Sequence, residues 1–166
     1  ALDSLLVAFS GGVDSTFLLA VAREALGKKV IAATAHSILY PQSEIEEAVA
    51  FARLHGIEQV LLASEASCLP EFLANTPERC YVCKKYLFGR LREIAAQRGI
   101  RSIAHAANMD DLDDFRPGWK AAVEMEGIAP LVDARLTKEE IRFLSKEMGL
   151  TTWDKPSMAC LASRIP

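Results

Sequence analysis

The chain has 166 residues, a formal net charge of -3 at pH 7 and 51% hydrophobic residues, as expected for one globular domain. The weak negative charge argues against an extended nucleic-acid surface, and no apolar run approaches the ~20 residues of a membrane span. No basic segment followed by an apolar stretch opens the chain, so no signal peptide is predicted and the cytoplasm is the expected compartment. In a reducing compartment, the four cysteines indicate metal, cluster or catalytic groups rather than disulfides.

Strand and helix patterns alternate along the chain. Short apolar runs predict strands at about 5–9, 30–35, 59–63 and 101–105. Helices are predicted from the loop at 10–16 to Gly27, from about 43 to Gly56, and from Pro77 with Thr76 as N-cap to about 98. Two more are predicted from Pro117 to about 125 and from Thr137 to Gly149. The residues expected to face inward on the first two helices are Phe17, Leu18, Val21, Ala25, Ile45, Val49, Ala52 and Leu54.

This alternation predicts an α/β fold, a doubly wound parallel sheet with helices on both faces. In such sheets ligands bind beyond the carboxyl ends of the strands. The loops at 10–16, 34–40, 63–76 and 105–114 would share that edge. We therefore expect the functional site to be built from these loops.

The first loop has the sequence Ser10-Gly11-Gly12-Val13-Asp14-Ser15-Thr16 and connects a buried strand to a helix. Free backbone N–H groups, hydroxyls and the positive end of the helix dipole make such a turn suitable for a phosphate chain. The glycines let the backbone approach the ligand closely. A Walker loop would place a lysine after the last glycine, and none follows here. The sequence predicts a different kind of phosphate loop.

Two cysteines, Cys80 and Cys83, are three residues apart near a predicted helix start, so their thiols share one face. The helix N-terminus and the basic neighbours Arg79 and Lys84 favour the thiolate, which ligates metal or attacks an electrophile. Cys160 lies far away in sequence, and Cys68 has no partner at a meaningful spacing. On spacing alone, ordinary helix and core cysteines remain an equal alternative.

The stretch Ser10 to Ser15 resembles the pyrophosphate loop of the ATP pyrophosphatase (PP-loop) superfamily, whose members split ATP between the α and β phosphates and adenylate a substrate. Longer motifs at 75–88, 108–118, 129–131, 136–142 and 153–166 extend the resemblance over nearly the whole chain. With them, the chain resembles the ATP-dependent sacrificial sulfur transferase (LarE) family. The pair Cys80 and Cys83 beside Cys160 resembles its three-cysteine, cluster-type branch.

This resemblance implies adenylation of a carboxylate of pyridinium-3,5-biscarboxylic acid mononucleotide, followed by delivery of sulfur to give a thiocarboxylate for the nickel-pincer nucleotide cofactor. In one branch, the cysteine matching Cys160 gives up its own sulfur and becomes dehydroalanine. In the other, three cysteines matching Cys80, Cys83 and Cys160 hold a [4Fe-4S] cluster whose open iron can carry sulfide. We expect the cluster route here, with ATP, Mg²⁺ and sulfide or another sulfur donor.

Site roles follow from the loop and the resemblance together. The residues expected to hold the nucleotide are Ala8, Ser10, Gly11, Gly12, Val13, Asp14, Ser15, Thr16, Ala33, Thr34, Ala35, Ser37, Asn108 and Asp111. Asp14, with Asp110 or Asp111, is the candidate carboxylate set for Mg²⁺. Lys84 is expected to neutralise charge as the α–β bond breaks. Arg164 is expected to bind a carboxylate or phosphate of the substrate, beside Cys160.

Residues 1–166 are interpreted as one PP-loop domain, and the resemblance implies a further C-terminal region for substrate and oligomer contacts, hence a homo-oligomer. A PP-loop tRNA thiolase is the second hypothesis, which the acidic net charge disfavours. A synthetase domain like that of GMP or NAD synthetase would leave the cysteines unexplained. A non-catalytic module that senses ATP or redox state would bind ATP without releasing pyrophosphate.

Overall fold

A computed structural model describes residues 2–113 and 117–157. Four parallel strands form one sheet, β1 (Leu5–Ala8), β2 (Val30–His36), β3 (Glu58–Ala63) and β4 (Ile103–Ala104), in the order β3-β2-β1-β4. The predicted parallel α/β sheet is confirmed. β4 is shorter than the predicted 101–105, and its last residue, Ala104, makes a parallel bridge to Ile128. This bridge adds one residue pair to the sheet on the outer side of its edge strand, β4.

The helices alternate with the strands as the sequence pattern predicts. In chain order they are α1 (Val13–Leu26), α2 (Gln42–Leu54), α3 (Pro70–Leu73), α4 (Arg79–Gln97), α5 (Pro117–Glu124), α6 (Pro130–Asp133) and α7 (Lys138–Glu147). Short 3₁₀ turns lie at Gly27–Lys29, Ala66–Cys68 and Met109–Leu112. Sequence periodicity missed α3 and α6, because one turn of helix is too short to produce a period.

Apolar cores cover both faces of the sheet. On one face, side chains of β1 such as Val7 pack with α1, α2 and α7. On the other face, Leu6 and Ile31 pack with Phe88 and Leu91 of α4 and with α5. Alternate residues of β1 therefore serve opposite cores, because successive side chains of a strand point to opposite faces. The helices lie on both faces, as predicted.

Three residues expected to face inward do not. Val21 is 39% exposed, Ala25 is exposed, and Leu54 at the end of α2 is 83% exposed. Ala52 is buried as predicted, and Ala48, which was not predicted, is buried with it, because small side chains let α2 sit close to the glycine loop. The other predicted residues, Phe17, Leu18, Ile45, Val49 and Ala52, are buried or partly buried, so the face was right and its margins were set too wide.

Helix α4 starts later than predicted. Its first helical residue is Arg79 and its N-cap is Glu78, whereas the sequence favoured Thr76 and Pro77 for these positions. Residues 76–79 form a turn closed by a hydrogen bond from Arg79 N to Thr76 O. By contrast, the Thr137–Glu140 capping box at the start of α7 is present as predicted. Within residues 2–113 and 117–157, no helix has the length and apolarity that crossing a membrane requires.

Candidate nucleotide site

The strand order indicates where along the carboxyl ends of the strands a ligand site is expected. The connections from β1 run outward through β2 to β3, and β4 then pairs on the other side of β1. Between β1 and β4 the strand order reverses, and crevices at such reversals bind ligands in doubly wound sheets. The loop at 10–16 follows β1, and the loop at 105–113 follows β4. The fold therefore brings these two predicted loops together.

The glycine loop is shaped by its contact with α2. Gly11 has φ +84°, a conformation that side chains disfavour, and a Cβ there would lie 3.3 Å from Ala48 Cβ. The hydroxyls of Ser10 and Ser15 are 3.1 Å apart, and Gly12 N lies 3.4 Å from Ser10 Oγ. These polar groups are gathered at one short turn. The arrangement can donate several hydrogen bonds to a single anion.

The start of α1 adds a positive potential to this turn. Val13 is its first residue, Gly12 is its N-cap, and no side chain caps the helix. The first N–H groups of a helix lack intrahelical partners and attract anions. Thr16 is 1% exposed, and its Oγ1 has no hydrogen-bond partner among the described residues. Amides and a buried hydroxyl thus remain for a phosphate chain to satisfy.

Asp14 lies at the centre of a charged network. Its Oδ2 accepts hydrogen bonds from Lys138 Nζ at 2.8 Å and from Asn108 Nδ2 at 3.2 Å. Its Oδ1 is buried and has no partner within the described part of the chain. A buried carboxylate oxygen without a partner is costly, and a cation would satisfy it. This donor fits one ligand of a Mg²⁺ ion, which takes one or two carboxylates together with phosphate oxygens.

Asn108 organises the loop after β4. It is 3% exposed, and its Oδ1 accepts hydrogen bonds from the backbone N of Asp110 at 2.8 Å and of Asp111 at 3.2 Å. Asp111 Oδ2 accepts from Asn108 N at 2.9 Å, which completes a capping box. Asp110 Oδ2 accepts from Lys138 N at 2.8 Å. Both predicted magnesium carboxylates therefore cap backbone in this structure while lying in the same network as Asp14.

Two lysines of this site were missed by sequence reasoning. Lys138 pairs with Asp14, and Lys155 contacts Gly11 O at 3.3 Å and the carboxylates of Glu44 and Glu47 at 2.8 and 2.7 Å. Both contacts join residues more than 100 positions apart, so local pattern could not reveal them. Both lysines lie within the motifs 136–142 and 153–166, but nothing in those motifs indicates which distant residues they contact.

The polar side chain near the end of β2, that of Thr34, is hydrogen-bonded within the sheet. Thr34 is 2% exposed, and its hydroxyl donates to Phe9 O at 2.7 Å and accepts from Gln59 Nε2 at 2.8 Å. Ala33 is buried in the core and pairs with Ala8. The hydroxyl of Thr34 thus ties β2 to the end of β1 and to β3, and the contact of Thr34 with the nucleotide stays a prediction. The partly exposed residues at this strand end are Ala35 and Ser37.

The cysteine turn lies at the start of α4. Cys80 is exposed, and Cys83 is partly buried against a small apolar cluster with Leu39 and Phe72. Leu39 belongs to the loop that follows β2, so Cys83 reaches the carboxyl edge of the sheet. The described residues contain no group of three or more histidines, cysteines or carboxylates that could hold a metal. Two thiols one turn apart fit part of a cluster's ligand set, and Cys160 and Arg164 lie outside the described residues.

Lys84 and His105 meet near the end of β4. The stem of the exposed Lys84 packs where a Cβ on Gly118 would lie, 2.9 Å from its Cγ. Burial and the charge of Lys84 lower the pKa of His105 to about 4, while Asp111 opposes this shift. The ring of His105 packs edge-on against Phe88 and Trp119, with centroids 5.8 and 5.3 Å apart. His105 is therefore neutral at pH 7, and Lys84 carries its charge beside the candidate site.

Comparisons with known proteins agree with this geometry. No protein-family model matches the chain. It is 41% identical over 165 residues to an uncharacterised protein of Synechocystis sp., covering 99% of this chain and 62% of that protein. It is 34% identical over 166 residues to the pyridinium-3,5-bisthiocarboxylic acid mononucleotide synthase of Lactiplantibacillus plantarum, covering 99% of this chain and 60% of the synthase. The chain thus spans about three-fifths of the length of these curated relatives.

Solved structures share the fold at low sequence identity. The NH3-dependent NAD synthetase of Campylobacter jejuni matches with a TM-score of 0.68 and 16% identity, over 95% of this chain and 70% of that one. The glutamine-dependent NAD+ synthetase of Acinetobacter baumannii, solved with ADP, matches with a TM-score of 0.71 and 20% identity, over 89% of this chain and 29% of that one. In sequence the chain is similar to the bisthiocarboxylic acid mononucleotide synthase, and in structure it shares the α/β fold of the NAD synthetases.

Proposed function

We propose that this chain is the ATP-binding domain of an ATP-dependent sulfur transferase. Its substrate would be pyridinium-3,5-biscarboxylic acid mononucleotide, and its product a thiocarboxylate used for the nickel-pincer cofactor. The observation that carries the proposal is the similarity to the bisthiocarboxylic acid mononucleotide synthase over 99% of the chain. The unpartnered groups of the glycine loop and Asp14 support the ATP part of it.

The first step makes the carboxylate reactive. A substrate carboxylate oxygen attacks the α phosphorus of ATP, and pyrophosphate leaves. The amides of Gly11 to Val13 would hold the departing phosphates, and Asp14 Oδ1 would bind the Mg²⁺ that neutralises their charge. Lys138 would then move from Asp14 Oδ2 toward a phosphate oxygen. The product is an acyl adenylate, whose AMP is a good leaving group.

The second step delivers sulfur. A sulfur nucleophile attacks the acyl carbon, AMP leaves, and the thiocarboxylate remains. Cys80, Cys83 and Cys160 would hold a [4Fe-4S] cluster, which when bound supplies the sulfide. If instead Cys160 attacks with its own sulfur, elimination leaves dehydroalanine on the protein and the same product. The exposure of Cys80 at the start of α4 supports the cluster route, since an exogenous sulfur donor can reach that turn.

The full chain is the protein to test, with whatever C-terminal region completes it. We propose that such a region supplies substrate and oligomer contacts, because the chain spans 60% of the synthase. Purified without oxygen, the protein is assayed for AMP and pyrophosphate release with the pyridinium dicarboxylate nucleotide and, separately, with tRNA. We expect release with the nucleotide. Release with tRNA alone would replace the proposal by a tRNA thiolase.

The sulfur source is tested in the same preparation. The cluster route predicts iron and acid-labile sulfide in the protein and repeated turnover when sulfide is added. The sacrificial route predicts one turnover and the loss of the mass of one hydrogen sulfide molecule at Cys160. Protein that binds ATP and releases no pyrophosphate with any carboxylate substrate would contradict both routes and favour a sensing module.

A further inference from the structure

Lys155 follows α7 and reaches back to the glycine loop. Its Nζ lies 2.8 Å from Glu44 Oε2, 2.7 Å from Glu47 Oε2 and 3.3 Å from Gly11 O, and its side chain is 13% exposed. Burial acts to lower its pKa, but the hydrogen bonds and charges of Glu44 and Glu47 outweigh it and raise the pKa above the usual value. The ammonium is therefore charged at neutral pH and held in one place.

The contact with Gly11 O fixes the direction of a peptide group. In a trans peptide the C=O of one residue and the N–H of the next point in opposite directions. With its carbonyl drawn toward Lys155, the Gly11–Gly12 peptide turns the Gly12 N–H to the opposite side, where it donates to Ser10 Oγ at 3.4 Å. The peptide thereby faces its N–H, rather than a carbonyl oxygen, toward the side of the loop that is proposed to bind the anion.

The same ammonium also sets the charge beside the loop. Glu44 lies in the first turn of α2, directly behind Gly11, because Glu44 O would be 3.5 Å from a Cβ there. Without Lys155, the carboxylates of Glu44 and Glu47 would stand unneutralised beside a loop expected to bind a polyanion. The side chains of Lys155 and Glu44 are 13% and 18% exposed, so solvent screens their ion pair much less than it screens the pair with Glu47, which is 59% exposed.

We infer that Lys155 is a positioning residue of the nucleotide loop, which holds the Gly11–Gly12 peptide in the orientation that binds phosphate. The inference deepens the proposed function, and it depends on that proposal for the identity of the anion, ATP. Lys155 precedes Cys160 by five residues, so its contact with Gly11 also attaches the segment that leads to Cys160 to the glycine loop. The motif around Cys160 would thus serve both the sulfur step and the ATP step.

Titration calorimetry of the full chain with ATP and Mg²⁺ tests the inference. Lys155→Met is expected to raise the Kd for ATP on the order of tenfold, as the loss of a charged hydrogen bond does. Lys29→Met, on an exposed turn at the opposite edge of the sheet, is the matched control and should leave the Kd unchanged. Lys155→Arg keeps the charge and is expected to lose about threefold, because its planar head reaches the carbonyl less well.

A triple variant, K155M with E44Q and E47Q, separates positioning from charge balance. It removes the unpaired carboxylates without restoring the peptide contact, so its Kd should stay near that of K155M. A return to the wild-type Kd would overturn the positioning role, and so would a K155M Kd within twofold of wild type. If thermal melting shows that K155M does not fold, K155R decides by the same twofold limit.

These outcomes are distinct from those of the proposed function. A wild-type protein that does not bind ATP overturns the proposed function and this inference together. A wild-type protein that binds ATP in a Lys155-dependent way and releases no pyrophosphate overturns the chemistry, while the positioning role stands.

Discussion

The nucleotide edge and the cysteine turn are built in opposite ways. At the nucleotide edge, Asp14, Asn108 and Lys138 come from three separate segments and hold one another through hydrogen bonds. At the cysteine turn, Cys80 is exposed and Cys83 contacts a small apolar cluster. The first region is organised before any ligand arrives. In the second, the described residues supply two thiols, and the remaining thiol of the proposed set belongs to a different part of the chain.

The difference follows from the chemistry proposed for each region. Bond cleavage in ATP requires donors fixed around the phosphates, since fixed dipoles need no reorganisation when charge develops. A sulfur carrier must be loaded and unloaded, so its thiols have to remain accessible to a donor and an acceptor. The predictions below test this contrast, first at the rigid region and last at the accessible one.

The largest effect on the free energy of unfolding is expected at Asn108. Asn108→Ala removes hydrogen bonds to Asp110 N, Asp111 N and Asp14 from a side chain that is 3% exposed, so we expect a loss of about 2–4 kcal/mol in urea denaturation. Asn75→Gly is the control: it removes the exposed hydrogen bond from Arg79 to Asn75, which contributes little, at a residue with φ 51°, which glycine adopts freely. Equal stability of the two variants would show that the network is not what holds the site.

His105, which lies between the two regions, is expected to make the free energy of unfolding sensitive to acid. Its pKa is about 4 in the folded protein and 6.5 for an unperturbed histidine, so the unfolded chain binds more protons between these values. The contribution is complete above pH 6.5 and is lost as the pH falls toward 4, by roughly 3 kcal/mol. His105→Phe should flatten the stability curve in this window while keeping the ring contacts. Parallel curves for both proteins would contradict the assignment.

A smaller loss of stability is expected at Gly11. Gly11→Ala forces a side chain into φ +84° and against Ala48, which should cost about 1–2 kcal/mol and also weaken ATP binding. Gly89→Ala is the control, since a Cβ at this position in α4 meets nothing within 4 Å and helix propensity should rise. Calorimetric ATP binding and thermal melting measure both effects. ATP affinity that is unchanged in the Gly11 variant would remove the loop from the site.

The smallest effect on folding is expected at the cysteine turn. Cys80 is exposed, so Cys80→Ser should change the free energy of unfolding by less than about 0.5 kcal/mol. ATP binding should also persist, while iron content and sulfur transfer fall. Cys68→Ser, on an exposed 3₁₀ turn outside the proposed set, should change none of these quantities. A Cys80 variant with full sulfur transfer would remove this cysteine from the delivery route.

The order of strands and helices was predictable, because buried strands and capped helices leave local patterns. The capping box at Thr137 and the glycine loop were identified in this way. The exposure of Val21 and Leu54 was not predicted, because periodicity gives the spacing of a stripe but not which neighbours will cover it. Lys138 and Lys155 were missed for a related reason, since their partners come from the other end of the chain.

The contact between Asp14 and Lys138 joins residues 124 positions apart, and that between Asp14 and Asn108 spans 94 positions. Contacts of such long range form late, because the entropy of closing the intervening chain opposes them until most of the molecule is in place. A growing polypeptide that has emerged as far as β3 therefore has the glycine loop without its counter-ion. The proposed nucleotide site would be complete only once synthesis has passed Lys155, which would tie nucleotide binding to the completion of the domain.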